Sequence, residues 1–331
     1  MLTAEGFEAP AWWDLAAGAR PPQPDDDDEM APWEQGWQFH ASSSRETHFR
    51  EHVVLPALDR SGQAMLRSQS GPGAASWLRA LPVCPEMRVT SERMQIAMRR
   101  RLRVPLPMAA RRCNGRACLR DLDPLGDHWA SCPVSGRLRR RGLPLERTWA
   151  RVLREAGVRV QWNVMLRDTN LPNIDADDGR RIEIVATGFH WHQGVPLACD
   201  ATLVSPLHAD GTVWDHADAE DGCAIARAEE AKRTTYPELV ASSRCRLVVL
   251  ACETGGRWSK TCAALIRALA AQRSLEAAPQ LRAAARFAWA SRWWAMLGVA
   301  QQSALAATLG ESTLGEVDGF VGVPPPLAGI L

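Results

Sequence analysis

Val158-Arg159-Val160-Gln161-Trp162-Asn163-Val164-Met165-Leu166, then Arg181-Ile182-Glu183-Ile184-Val185-Ala186, then Val195-Pro196-Leu197-Ala198-Cys199-Asp200-Ala201-Thr202-Leu203-Val204 are the segments on which the fold turns. The first alternates apolar and polar residues, and the second sets Ile182 and Ile184 between polar neighbours. The third reads as a buried strand through Leu197, Cys199 and Leu203. A helix over Leu145–Ala156, with Trp149, Val152 and Leu153 on one side and Gly157 as its stop, precedes them. An alanine-rich helix from Gly222 to Tyr236, ended by Pro237, follows, and Arg246–Cys252 reads as a fully buried strand. The predicted order is α-β-β-β-α-β, an α/β core.

Outward from that core the chain changes character. Residues 1–44 combine Pro21, Pro22, Pro24, an acidic run and scattered tryptophans without a sustained period, which predicts a disordered arm. Residues 45–110 read as a helical, arginine-rich region. Glu46–Gln69 is interrupted at Pro56, and Thr90 caps a helix through Met94, Met98 and Leu102 that Pro105 ends. Residues 111–142 form a compact loop region, 143–275 the core, 276–310 C-terminal helices with Trp289, Trp293 and Trp294 at core spacing, and 311–331 a loose, proline-containing tail.

With 331 residues, 46% of them hydrophobic and 23% charged, the chain can bury a real core. It has no apolar run of the length a membrane span needs, about 18 residues. The acids Glu5, Glu8 and Asp14 stand where a signal peptide would be basic and then apolar, which points to an intracellular, reducing address. Nine cysteines then suit free thiols and one metal cluster better than a disulfide framework. The net charge of +1 conceals an asymmetry. Residues 1–34 carry nine acids against one base, whereas residues 88–147 carry fifteen arginines against five acids. A polyanion is the natural partner of such a stretch, with Arg99, Arg100, Arg101, Arg103, Arg139, Arg140 and Arg141 expected to track phosphates.

Two constellations could carry chemistry. Cys113, Cys118, His128 and Cys132 supply four soft or borderline ligands within twenty residues that lack an apolar period, a set suited to structural, tetrahedral zinc. On the core, Glu183 and Asp200 lie on neighbouring strand candidates and could share a hard divalent cation, Mg2+ by preference. Only two of the 39 basic residues are lysines, and one of them, Lys232, sits on the following helix where an ammonium could reach an attacking water. Glu146 and Glu253 are expected to support the site.

These residues resemble the restriction-like endonuclease region of non-long-terminal-repeat retrotransposon proteins, a branch of the PD-(D/E)XK nuclease superfamily. The resemblance spans Gly71 to Leu309. It rests on Gly71-Pro72-Gly73-Ala74-Ala75-Ser76-Trp77-Leu78, the Cys-Cys-His-Cys cluster with Asp123, Gly126 and Asp127, Arg180-Arg181-Ile182-Glu183-Ile184, Cys199-Asp200-Ala201-Thr202, and Lys232 with Tyr236. It implies a restriction-endonuclease-like fold with a zinc knuckle and flanking helices, and a catalytic lysine moved from the third strand, where Thr202 now stands, to Lys232. The activity it implies is Mg2+-dependent nicking of target DNA by a retroelement-derived, nuclear protein. DNA is the first partner it implies and RNA the second, with a reverse transcriptase encoded elsewhere or lost. Pro172-Asn173-Ile174-Asp175 only approximates the family's Pro-Asp pair; Glu183 is the substitute, with Asp175, Asp177 and Asp178 as alternatives. The chain starts just upstream of the nuclease region and holds no polymerase segment, so a fragment or a decayed copy is expected. The rival reading is an inactive zinc-containing remnant that binds nucleic acid and cuts nothing.

Overall fold

The computed structural model describes residue 7 and residues 10–21, 36–106, 112–115, 118–172 and 174–310. Its helices are α1 (Trp12–Ala16), α2 (Trp37–Phe49), α3 (Leu55–Ala57), α4 (Arg60–Ser68), α5 (Ser91–Arg101), α6 (Asp127–Ser131), α7 (Arg137–Glu155), α8 (Cys223–Thr235), α9 (Pro237–Ala241), α10 (Lys260–Ser274) and α11 (Arg282–Gly310). The strands are β1 (Arg159–Met165), β2 (Arg181–Thr187), β3 (Leu197–Val204) and β4 (Arg246–Glu253). They form one mixed sheet in sequential order. β1 to β2 and β2 to β3 are antiparallel, and β3 to β4 is parallel. A parallel pair needs a crossover, which α8 and α9 provide. The protein is therefore mixed α/β, and its central run is α-β-β-β-α-β as the sequence predicts.

The sheet is buried on both faces. Ile184, Ala186, Cys199, Ala201, Leu203, Val248, Leu250 and Cys252 meet Trp149, Val152 and Leu153 of α7, Leu265, Ile266 and Leu269 of α10, and Trp293, Met296 and Leu297 of α11. On the other face α8 and α9 cover Ala198, Val249 and Ala251 through Ile225, Tyr236 and Leu239. Trp293 is fully buried, and Trp289 and Trp294 pack against the same core, so the three tryptophans are structural as predicted. The Gly71–Trp77 segment docks here too. Gly73 has φ 75°, and a Cβ on it would meet the Trp294 ring at 2.5 Å, so both the turn and the close approach require glycine.

Several boundaries differ from the sequence reading. Within residues 1–44, where a disordered arm is expected, α1 and the start of α2 are helical. The 44/45 boundary therefore falls inside α2. Neither helix buries a residue, which is why no apolar period announces them. The remainder of that arm, and the predicted tail 311–331, lie outside the described residues. α7 starts at Arg137 rather than Leu145 and runs through Gly142 and Pro144. Tertiary bonds override the poor local propensity: Arg137 donates to Thr308 O at 2.7 Å and Arg141 to Leu203 O at 2.6 Å. Pro237 begins α9 at its first turn, where its missing N–H costs nothing. No helix among the described residues is long and apolar enough to cross a membrane.

Candidate functional site

β2 and β3 pair at Ala186↔Leu197, Val185↔Ala198 and Ile184↔Cys199. One step further, that register sets Glu183 opposite Asp200, and directly opposed residues of an antiparallel pair project to the same face. The ladder ends there, and a side chain takes over from the backbone: Glu183 Oε2 accepts the N–H of Ala201 at 2.6 Å. Beyond this point the rest of β3, with Ser205 after it, forms one wall of a cavity of about 1040 Å³, with Leu138, Gly142 and Glu146 of α7 on another wall. α8 lines it with Ala224, Arg227, Ala228, Ala231 and Lys232, a single helical face. Lys232 Nζ lies 2.7 Å from Asp200 Oδ1 and 2.9 Å from Oδ2.

The electrostatics of this cluster are unbalanced. Burial, then the neighbouring Asp200 carboxylate, then Glu146, push the Glu183 carboxyl up to about 8 against the opposing Ala201 N–H and Lys232. Burial also raises Glu146, with Arg181 opposing and Asp200 adding to the rise. Glu146 Oε2 is buried and has no hydrogen-bond partner among the described residues. Tyr236 donates its hydroxyl to Arg181 O at 2.9 Å, and burial followed by Asp200 and Glu183 holds its phenol above the usual range. Three buried or part-buried acid groups thus share Lys232 and Arg181 as their nearby cations, an acidic excess that a bound cation would relieve.

Of the acids expected here, Glu146, Glu183 and Asp200 come together and Glu253 does not. Glu253 lies opposite Val204 at the C-terminal end of β4 and does not line the cavity. Burial raises its carboxyl, while Ser68 and Arg257 beside it act in the opposite sense, so it belongs to the seam with α4. The alternatives Asp175 and Asp177 are exposed, and Asp178 is engaged by Arg180 at 2.7 Å; none of the three lines the cavity.

The second constellation assembles completely. The ligand atoms of Cys113, Cys118, His128 and Cys132 all lie within 4.8 Å of one another, and the group could hold a metal ion, a donor set compatible with zinc. Cys113 and Cys132 approach at 3.9 Å and Cys118 Sγ lies 3.4 Å from His128 Nε2. The other ring nitrogen, His128 Nδ1, sits 2.6 Å from Ala209 O. Donation to that carbonyl fixes the tautomer and leaves Nε2 free to ligate. The local sequence builds this geometry. Asp123 accepts the N–H groups of Leu125, Asp127 and His128 at 2.7–3.0 Å, capping α6, a short helix in a stretch that lacks an apolar period. Gly115 passes so close to Val134 that a Cβ would meet its carbonyl oxygen at 2.9 Å.

Two of the arginines expected to track phosphates, Arg100 and Arg141, require correction. Arg100 is buried and paired with Asp127, which Arg103 also contacts at 2.8 Å. Burial alone would raise the Asp127 carboxyl, but the two guanidinium groups hold it below the usual range. Arg141 is buried, its guanidinium pushed down to about 10 by desolvation, and it donates to Ala130 O and Leu203 O at 2.7 and 2.6 Å. Arg99 donates to Pro105 O at 2.6 Å, and Arg101 is half-buried. Arg100, Arg103 and Arg141 tie the metal-ligating region to the end of α5 and to β3. Arg139 and Arg140 lie on α7, with side chains outside the described set.

The cations that do line the cavity include Arg120, Arg181, Arg227 and Lys232. Of these, Arg120 and Arg227, and with them the rim residues His208 and Trp214, escape the sequence reading. The α8 spacing 224, 227, 228, 231, 232 is the signal by which Arg227 could have been found. Compared with known proteins, the chain matches no family model and no curated protein.

Proposed function

We propose that the chain is a metal-dependent endonuclease of restriction-endonuclease-like fold, derived from a retroelement, that nicks DNA in the nucleus. Its cutting centre would be the Glu183–Asp200–Lys232 cluster, with Glu146 in support. The observation that carries this reading is the convergence of two cross-strand carboxylates, at the point where β2 and β3 stop pairing, on one lysine from the following helix, with Glu183 and Lys232 lining a cavity that further cations share and Asp200 buried beside them. The same reading makes the Cys113, Cys118, His128 and Cys132 cluster a structural zinc knuckle.

The residues fit a hard divalent cation such as Mg2+: the three acid groups outnumber Lys232 and Arg181, and Glu146 Oε2 is left unpartnered. Glu183 and Asp200 would hold it, and it would supply charge neutralisation at the scissile phosphate and a lowered pKa for a bound water. The chain's own groups do the rest. The Ala201 N–H fixes the Glu183 carboxylate, and Lys232 holds Asp200 while presenting an ammonium to the phosphate or the attacking water. Glu146 is placed to accept a proton from the same cavity. Arg120, Arg181 and Arg227 offer charge to the phosphodiester backbone without reading sequence.

One observation favours a binder that does not cut: Lys232 already sits within 2.9 Å of both Asp200 oxygens, an ion pair that could close the cation site. A supercoiled plasmid incubated with the full chain and Mg2+ separates the two readings. The expected result is conversion to open circles, reduced by about 100-fold or more by Asp200→Asn and unaffected by Arg112→Ala. No conversion by the unsubstituted chain, or equal conversion by Asp200→Asn, would overturn the nuclease.

A further inference from the structure

Trp214 and Arg227 lie on the cavity but outside the carboxylate cluster, and their arrangement is specific. The Leu207–Val213 segment is a small hairpin closed by a bridge between those two residues, with His208 N donating to Thr212 O at 2.8 Å. Trp214 follows it, anchored by packing on the cluster of Ala64, Met65, Leu207 and Ala217. The Arg227 guanidinium lies over the Trp214 ring, 4.1 Å from its centroid. Such a contact restrains a long side chain without consuming its charge or its hydrogen-bond donors. Arg227 is exposed, and among the described residues no carboxylate pairs with it. Arg233 on the same helix is also exposed but is paired, facing Glu229 at 3.5 Å and Glu230 at 3.3 Å.

Between Arg227 and Lys232 the cavity-facing side of α8 carries only Ala228 and Ala231. The backbone positions of the two cations are offset along the helix axis by a rise of about 7.5 Å and flank the cavity-facing side, with the two alanines between them. We propose that Arg227, laid against Trp214 on the cavity rim, binds the phosphodiester next to the one held at Lys232, so that a single strand crosses the alanine floor of α8 with a phosphate at each end. The proposal rests on the nuclease reading for the role of Lys232 and adds the path of the substrate strand. The chemistry it names is a phosphodiester backbone, common to DNA and RNA.

The test is fluorescence anisotropy of the full chain with a labelled single-stranded DNA, and with RNA of the same sequence, across a salt series without added Mg2+, so that binding is read apart from cleavage. Arg227→Ala is expected to weaken binding about tenfold and to lower the slope of log affinity against log salt by about 0.7, the value for one contact on a single strand. Arg227→Lys should restore the slope and part of the affinity, and Arg233→Ala should change neither quantity. Parental affinity and slope in Arg227→Ala, an equal loss in Arg233→Ala, or a loss confined to one of the two nucleic acids would each overturn the proposal. Failure of the plasmid assay beside a clear Arg227 effect would remove the cutting and keep the strand path. Nicking by the parent, together with an unchanged KM in Arg227→Ala, would do the reverse.

Discussion

The clamp around Asp127 and the cluster around Asp200 are built from the same side-chain types in opposite proportion. At Asp127 one carboxylate meets two guanidinium groups, is buried with Arg100, and is satisfied. At Asp200 the ammonium of Lys232 and the guanidinium of Arg181 meet the acid groups of Asp200, Glu183 and Glu146, and one oxygen of Glu146 has no partner among the described residues. At Asp127 the excess charge is positive and the carboxylate has its bonds already made, although Arg100 Nε and Nη2 have no partner among the described residues. At Asp200 the excess is acidic and retains affinity for a cation. Burial is similar at both, so the sign of the excess charge, not exposure, marks the site that can take a cation.

The sharpest way to break that comparison is to withdraw the metal from the Cys113, Cys118, His128 and Cys132 group. Zinc binding of this kind contributes on the order of 10 kcal/mol in small domains. The knuckle also has a modest apolar cluster, with Trp129 and Cys132 packed on Leu305 and Leu309. The expected outcome is one zinc per purified chain by elemental analysis, none after Cys118→Ser, and loss of hydrogen-exchange protection confined to residues 112–132 and the Ala209 hairpin that His128 touches. Full protection of that segment in the stripped protein would show that apolar packing, not the metal, holds it.

A smaller effect is expected from Asp127→Asn. It leaves the buried Arg100 without its counter-charge, and breaking one side of a buried pair costs about 3–5 kcal/mol. Urea unfolding should show this loss with zinc content unchanged. A loss below about 1 kcal/mol would mean that the carbonyl contact of Arg100 to Leu125 O at 2.6 Å suffices to hold it.

How far each region could be read beforehand follows from how its contacts are made. The metal ligands lie within twenty residues, so spacing and glycines revealed them. The strands of the core announced themselves by alternation, and the β2–β3 register that opposes Glu183 and Asp200 follows from two correctly placed strands. Which further acid joins them did not. Glu146 and Glu253 read alike in sequence, and only the path of α7 over the sheet brings one in and leaves the other at the α4 seam. The arginines were misjudged for the same reason. Arg100 and Arg141 look like surface charge until Asp127, Ala130 and Leu203 are seen to receive them. Local sequence reports composition and period, whereas burial of a charge depends on a partner that is distant along the chain.

The comparison also predicts the behaviour of a third cluster, at Glu155, that neither holds metal nor faces the cavity. Arg292 reaches both carboxylate oxygens at 3.0 Å, Arg151 one of them at 2.9 Å, and Trp293 Nε1 the other at 3.1 Å, joining α7 to α11. Burial alone would raise this carboxyl, but the bonds from Arg292, Arg151 and Trp293 outweigh it and hold the group below its ordinary value. With the folded value depressed, the contribution to stability is complete above the unfolded value near 4.5 and is lost as pH falls through the folded one. Glu155→Gln should therefore cost about 1–2 kcal/mol at neutral pH. In urea titrations from pH 7 to pH 3 the difference between parent and variant should stay level down to about pH 5 and shrink below it. If the difference were instead to grow on acidification, Glu155 would resemble the raised carboxyls of the cavity, and the sign of the excess charge would cease to separate the two kinds of cluster.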